Sequence, residues 1–425
     1  MPAESAKSVT GLLDEAARNF LHGRYDLAEA IYREAANLLE PHSLSVELAR
    51  ALKGMGDVAR MRDDHSTARD RYTDAAALFA KAGNPAGQAS AFRGLGDLRV
   101  LQDDYEGAGR SYRNALELSR SSGDDTGEAE AFKGLGYLAK TQGDIAAAED
   151  NYGVAQRLFT RSGDLLGEAG AAKGLADLDA MRSNHEAARN GYRRARSVYV
   201  RVGYRLGQAY AAFGLGDIAL RLGDFDSAGR EYREALDLCE TIGYRLGCAN
   251  AAKSLGDLAR LAGEPAAAQT AYTDAYASYQ ELNDRLGQAG ALLGLATVRL
   301  TAGFSRDAEE AYRDSHRLYR AIGNELGESH ALLGLARTAE ERADPKEASS
   351  YYALAEQSYR RVGHVGLAAS CEAARKRTEF VSTANPSSAV DSHTDSPERH
   401  LAGRDEITGS FQSSRNTVAA PVRDT

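Results

Sequence analysis

Tyrosine recurs every 40 residues along this chain, at Tyr32, Tyr72, Tyr112, Tyr152, Tyr192, Tyr232, Tyr272, Tyr312 and Tyr352. Alanine keeps the same step four places earlier, from Ala28 to Ala348, and a small residue follows three places later, from Ala35 through Ser315 to Ala355. Nine periods pass without an insertion or deletion. A fixed period of this length means one supersecondary unit copied along the chain, each copy burying its apolar face only against its neighbours. That pattern overrides the two or three globular domains that 425 residues alone would suggest.

Steps of four and then three place these residues on one face of a helix. This helix, B, is expected over about 105–121 in the third unit, and a second apolar series (Phe92, Leu95 and Leu98, or Ala171, Leu175 and Leu178) marks a helix A before it. Helices of about 17 residues are roughly 25 Å long. Gly83, Gly123, Gly163, Gly203, Gly243, Gly323 and Gly363 fall just after helix B, with Asn283 as the one replacement. A left-handed residue ends a helix there, and Asn is tolerated next best after Gly. Between A and B stand Gly143-Asp144, Gly223-Asp224 and Gly263-Glu264; in the first two, glycine can close A while Asp caps the free N–H groups of B. Gly54, Gly94, Gly134, Gly174, Gly214, Gly294 and Gly334 lie inside helix A. Each costs about 1 kcal/mol relative to Ala, which close approach of neighbouring helices would explain. Only 8 prolines occur, as long uninterrupted helices require.

The residues at this point resemble the tetratricopeptide repeat: Phe92-Arg93-Gly94-Leu95-Gly96, then Ala108, Tyr112 and Ala115, match its aromatic, Leu-Gly, small, aromatic and small positions. The 40-residue period resembles the longer-helix subgroup of kinesin light chain and spindle-orientation adaptors, and the Gly-Leu-Gly-Asp runs are similar to MalT-like repeats. The resemblance implies an all-α fold, an α-solenoid of about nine helix-turn-helix repeats in a right-handed superhelix. Three family features are missing. Ala59, Arg99 and Ala219 replace the Tyr late in helix A, no Pro follows helix B, and Gly174 and Asp177 stand where some adaptors carry ligand-gripping Asn. The expected organisation is a flexible N-terminus at 1–7, repeats over 8–362, a capping helix at 363–380 and a Ser/Thr-rich disordered tail at 381–425.

In the family, helix A lines the concave surface, which implies two stripes of partner-facing positions. The first reads Lys53, Arg93, Lys133, Lys173, Phe213, Lys253, Leu293 and Leu333; the second reads Asp57, Asp97, Tyr137, Asp177, Asp217, Asp257, Thr297 and Arg337. A solvated face stitched by i, i+4 pairs is the alternative, although Lys before Asp is the less favourable order for a helix. The function expected is a non-catalytic scaffold or adaptor holding a protein or peptide in the groove. A peptide-responsive sensor is the runner-up, and self-association through the terminal repeats a further possibility.

Other classes have little to rest on. A formal net charge of −9 argues against nucleic acid and anionic membranes as partners, and no apolar run approaches the roughly 18 residues a membrane span needs. The first twenty residues carry acids and lack a signal-peptide core, so the cytoplasm is the expected location. Cys239, Cys248 and Cys371 have neither the number nor the spacing of a disulfide framework or metal site and are expected to be small buried hydrophobes. His65, His185, His316 and His330 show no metal-ligand pairing and read as surface residues. Gly54-Met55-Gly56-Asp57-Val58-Ala59 and Gly214-Leu215-Gly216-Asp217-Ile218-Ala219 match a loose dinucleotide fingerprint. They recur within helices where that motif needs a strand-to-helix turn. No cofactor, metal or catalytic constellation is expected.

Overall fold

A computed structural model describes residues 8–39 and 46–384, which hold 19 helices and no strand. The chain divides into two compact units, one ending at Cys248 and the other beginning at Ala249. In the first unit the helices follow as α1 (Val9–Leu21) and α2 (Tyr25–Asn37), α3 (Val46–Met61) and α4 (His65–Lys81), α5 (Pro85–Leu101) and α6 (Tyr105–Ser122). Next come α7 (Asp125–Thr141) and α8 (Ile145–Ser162), α9 (Leu165–Met181) and α10 (His185–Val202), α11 (Arg205–Arg221) and α12 (Phe225–Ile242). The division falls inside α13 (Arg245–Leu261), after which come α14 (Pro265–Glu281), α15 (Arg285–Thr301), α16 (Ser305–Ala321), α17 (Glu325–Glu341), α18 (Pro345–Arg361) and α19 (Val365–Ala384). Within each unit, successive helices pack as stacked hairpins, and A helices of neighbouring repeats touch, as α5 does α7 and α15 does α17. This is an α-solenoid.

Local chemistry closes the hairpins. After helix B, Gly83, Gly123, Gly163, Gly203, Gly243, Gly323 and Gly363 take positive φ, and Asn283 does so at 54°. The A-to-B turn needs the same conformation, met by Gly143, Gly223 and Gly263 but also by Asp63, Asp103, Ser183 and Ala343. Asp144 Oδ1 accepts from the Ala147 N–H and Asp224 Oδ1 from the Ser227 N–H, each at 3.0 Å; Glu264 makes no side-chain cap.

The nine periodic tyrosines are all buried, none more than 7% exposed. Their rings fill the glycine positions. A Cβ on Gly96 would lie 2.6 Å from the Tyr112 ring, and one on Gly134, in the next repeat, 2.5 Å from the same ring. Tyr72 sits likewise against Gly56 and Gly94, and Tyr272 against Gly256 and Gly294. Each ring is therefore a wedge clasped by its own A helix and the next. A second aromatic seven residues on (Phe79, Phe159, Tyr279 or Tyr319) fills the space over Gly87, Gly167, Gly287 or Gly327 at the start of the following A helix. Cys239 occupies that position in the sixth repeat, and it and Cys371 are fully buried, whereas Cys248 is half-buried.

Helix α19 puts Ala368, Cys371 and Ala374 against Ala336, Tyr352 and Tyr359 of the ninth hairpin. It runs on to Ala384, into the segment expected to be tail; the first proline, Pro386, stands beyond it. Residues 1–7 and most of the expected tail lie outside the described residues.

One set of contacts in the first unit is not between neighbours. The turn joining α1 to α2 meets the ends of α10 and α12, so that a Cβ on Gly23 would lie 2.1 Å from Ile242 Cγ2 and one on Gly203 2.4 Å from His22 Cε1. Tyr25, Tyr204, Ile242 and Tyr244 are buried around this junction. The row of hairpins in this unit thus returns on itself.

Candidate functional site

Helix A carries both inner stripes, and the structure brings each close to its neighbours in the stack. Lys53, Arg93, Lys133, Lys173, Phe213, Leu293 and Leu333 are all under a tenth exposed, with Lys253 half-buried. Burying an ammonium or guanidinium demands a partner. Lys53 pairs with Asp57 at 3.0 Å, Lys173 with Asp177 at 3.0 Å and Lys253 with Asp257 at 2.8 Å. These i, i+4 pairs are therefore inside the protein rather than on a solvated face. Arg93 and Lys133 instead converge on Glu130, at 3.2 and 2.7 Å, while Lys140 reaches Asp177 at 2.6 Å.

The acidic stripe has a second duty. Tyr72, Tyr112, Tyr192, Tyr232 and Tyr272 donate their hydroxyls to Asp57, Asp97, Asp177, Asp217 and Asp257 over 2.6–2.9 Å. Each of these acids anchors the wedge of its own hairpin. Thr297 takes that place for Tyr312 at 3.0 Å. Tyr137 replaces the acid in the fourth repeat, and the buried Tyr152 hydroxyl has no hydrogen-bond partner among the described residues. Arg60 and Arg260 add a further donor to the hydroxyls of Tyr72 and Tyr272, at 3.1 and 3.3 Å.

These surroundings set the ionisation of the stripe. Burial pushes the Asp177 carboxyl up, but Lys140 and Lys173 outweigh it and hold the group at about 2. Burial draws the Lys173 ammonium down to about 8 against the opposing pull of Asp177. Asp97, buried beside Arg60, is raised by desolvation.

A third row escaped the sequence reading. Three places before the first stripe stand Ser90, Glu130, Gly170, Tyr210, Asn250, Gly290 and His330. Ser90 accepts from Arg93, Glu130 holds two cations, Asn250 accepts from Tyr279 and Tyr210 lies 3.5 Å from the Tyr244 hydroxyl. The available signal was its variability: six residue types occupy seven copies of one position in a unit that otherwise repeats closely. His330 is buried, not on the surface as expected, and desolvation lowers it to about 4. Its Nδ1 lies 2.8 Å from the Leu326 carbonyl oxygen.

In the second unit the acid ladder stops at Asp257. A cavity of about 40 Å³ opens beyond it, walled by Arg260, Thr297 and Arg337 on the polar side and by Leu293 and Leu333 on the apolar side. No groups of three or more His, Cys, Asp or Glu suited to a metal ion occur among the described residues. No helix there is long and apolar enough to cross a membrane.

The profile of the tetratricopeptide repeat family matches residues 87–161, 167–241 and 207–281. No curated protein sequence matches the chain. Among solved structures, the chain is similar to a Rap protein complexed with Competence and Sporulation Factor, at 16% identity over 88% of this chain and 98% of that one, with a TM-score of 0.52. It is also similar to the apo form of the quorum sensor NprR from B. thuringiensis, at 17% identity over 82% and 98%, TM-score 0.54. A third is a signal-transduction ATPase with a tetratricopeptide repeat sensor from Pyrococcus horikoshii, at 14% identity over 82% and 55%, TM-score 0.54. At these identities the likeness is one of fold, and it agrees with the hairpins, the tyrosine wedges and the matched repeats in making this chain a tetratricopeptide repeat protein.

Proposed function

We propose that this protein is a non-catalytic scaffold that holds a partner protein or peptide on the inner faces of its A helices. The carrying observation is the contrast between positions. Wedge tyrosines and their small neighbours hardly change from repeat to repeat, whereas the inner rows pass from Lys, Arg and Glu to Phe, Leu, Asn and His. A fold needs sameness at its joints, and specificity needs difference along its binding face. Partner contacts are assigned to Lys53, Asp57, Arg93, Asp97, Lys133, Tyr137, Lys173, Asp177, Phe213 and Asp217 in the first unit, and to Lys253, Asp257, Leu293 and Leu333 in the second.

A second reading has support of its own. The similar solved structures include a Rap protein with a bound factor, a quorum sensor and a repeat-containing sensor. On this reading a peptide on the inner face alters the stack and so passes a signal to an effector.

Affinity capture from cell extract with the full chain tests both. Because Lys133 and Lys173 are matched to buried acids, reversing them would also break the fold; Arg337→Glu and Lys253→Gln, at more open positions, are the better probes. Capture should weaken in both variants, more at low salt than at high. Identical capture by all three proteins at every salt concentration would rule out the inner face as the binding surface.

A further inference from the structure

In the first unit a cation late in helix A is matched by an acid of the following repeat: Lys140 reaches Asp177, 37 residues on, at 2.6 Å. Three periods later Arg260 stands at the register of Lys140, and Thr297 at the register of Asp177. The wedges fix the equivalence, since Tyr192 donates to Asp177 and Tyr312 meets Thr297 across the same 15-residue separation. Threonine brings no charge, and its hydroxyl is already engaged. Thr297 Oγ1 donates to the Leu293 carbonyl oxygen at 2.8 Å and so accepts from Tyr312 at 3.0 Å. The second unit thus keeps the cation of this joint and lacks its carboxylate.

The Arg260 side chain has one bond among the described residues, from Nε to the Tyr272 hydroxyl at 3.3 Å. Arg337, exposed at the next acid position of the ladder, has none among them. Both arginines line the same cavity of about 40 Å³, together with Thr297, Leu293 and Leu333. Asp257 lines it too, but its oxygens are taken by Lys253 at 2.8 Å and the Tyr272 hydroxyl at 2.6 Å. One carboxylate against Lys253, Arg260 and Arg337 leaves two positive charges unmatched. A water needs about 10–15 Å³ of such space, so the cavity admits a carboxylate and the first carbons that carry it. Arginine forks suit a carboxylate, and the two leucines suit carbon.

We infer that this cavity binds the carboxylate of a small aliphatic acid, with Arg260 and Arg337 on its oxygens and Leu293 and Leu333 on its carbon end. The ligand takes the charge position that Asp177 fills in the fifth repeat. The shared chemistry is an aliphatic carboxylate, free or at the C-terminus of a peptide. This deepens the inner-face reading and rests on it.

Isothermal titration of the full chain should show isobutyrate binding with a Kd of about 1 mM or tighter, and its uncharged counterpart isobutyramide failing to bind. Arg337→Gln, at an exposed position where the fold is not at stake, should weaken isobutyrate by about tenfold. Arg260→Gln should weaken it at least as much. Thr297→Asp provides the carboxylate from the chain itself; it should raise the melting temperature by about 2 °C or more and abolish isobutyrate binding.

A tetrapeptide of three glycines and a C-terminal valine, compared with its C-terminal amide, separates the two sources. A peptide acid that binds more tightly than isobutyrate assigns the site to a peptide end, and isobutyrate binding with the peptide acid shut out assigns it to a free acid. Amides that bind as well as the acids, inorganic phosphate that binds as tightly, or undiminished isobutyrate binding in Thr297→Asp overturns the site. Failure of every carboxylate to bind, with partner capture still weakened by Lys253→Gln, removes this inference alone. Capture indifferent to Lys253→Gln strikes instead at the reading on which it rests.

Discussion

A glycine in the middle of a helix is ordinarily a weak point, yet here it is half of a joint. The Tyr112 ring occupies the space over Gly134, so Gly134→Ala gains about 1 kcal/mol of helix propensity but forces a Cβ to within 2.5 Å of a rigid aromatic. Overpacking of this kind costs about 1–3 kcal/mol, and the net effect should be destabilising. Gly153, in α8, meets only the end of Arg157 at 3.6 Å, so Gly153→Ala should stabilise by about 0.5–1 kcal/mol. Urea titrations of the two variants should move in opposite directions. The hydroxyls separate in the same way. Tyr112→Phe strands the buried Asp97 carboxylate and should cost about 1–3 kcal/mol, whereas Tyr152→Phe removes a hydroxyl that has no partner among the described residues and should be neutral or stabilising. Spacing alone made the tyrosines legible as core and the glycines as close-approach points. It could not reveal the bond from Tyr112 to Asp97, because those residues are fifteen apart on different helices and meet only through the way the hairpin folds over.

Among the elements, the turns carried the clearest signals and also the one incomplete reading. Glycine or Asn after helix B marked a left-handed residue at each described B-to-A turn. The A-to-B turn imposes the same geometry on Asp63, Asp103, Ser183 and Ala343, which betray nothing by composition. Ala343 has neither a short polar side chain nor the freedom of glycine, and its φ is 57°. A left-handed L-residue costs roughly 1–2 kcal/mol. Ala343→Gly should recover about 0.5–1 kcal/mol after the added freedom of the unfolded chain is subtracted. Gly303→Ala, at φ 84° in the equivalent turn, should lose about as much. Thermal melts of the pair check both, and equal melting temperatures would mean the turn conformation carries no strain.

For the molecule as a whole, charge matters more by where it is hidden than by its sum of −9. His330 illustrates this. Burial is the main reason it falls to about 4, with the Leu326 carbonyl opposing and His364 and Arg337 assisting. Its folded value lies below the unfolded one, so the unfolded chain binds the extra proton as pH falls from about 6.5 towards 4, and stability drops in that window. Between pH 6.5 and 5 this single group contributes at most about 2 kcal/mol of loss. Denaturant midpoints of the wild type and His330→Leu should diverge across that interval; parallel curves would show that the folded imidazole takes up its proton over the same range as the unfolded one. The variability of its row was the one hint in the sequence, since the burial of His330 depends on the neighbouring repeats that cover it. The return of the first hairpin to the turns at Gly203 and Ile242 was illegible for the same reason: it depends on a rotation accumulated over five hairpins, of which each copy holds only a fraction.

The wedge that serves two helices has an implication for ancestry. Every copy brings both the ring and the pair of slots, so excising one whole period, for example 127–166, would splice Tyr112 onto Gly174 with the mating surfaces matched. Such a gene can shorten or lengthen by recombination without redesigning a single joint. The meeting of His22 with Gly203 has no such tolerance, because it records an address counted along the row, and a unit gained or lost between them would leave each facing a stranger.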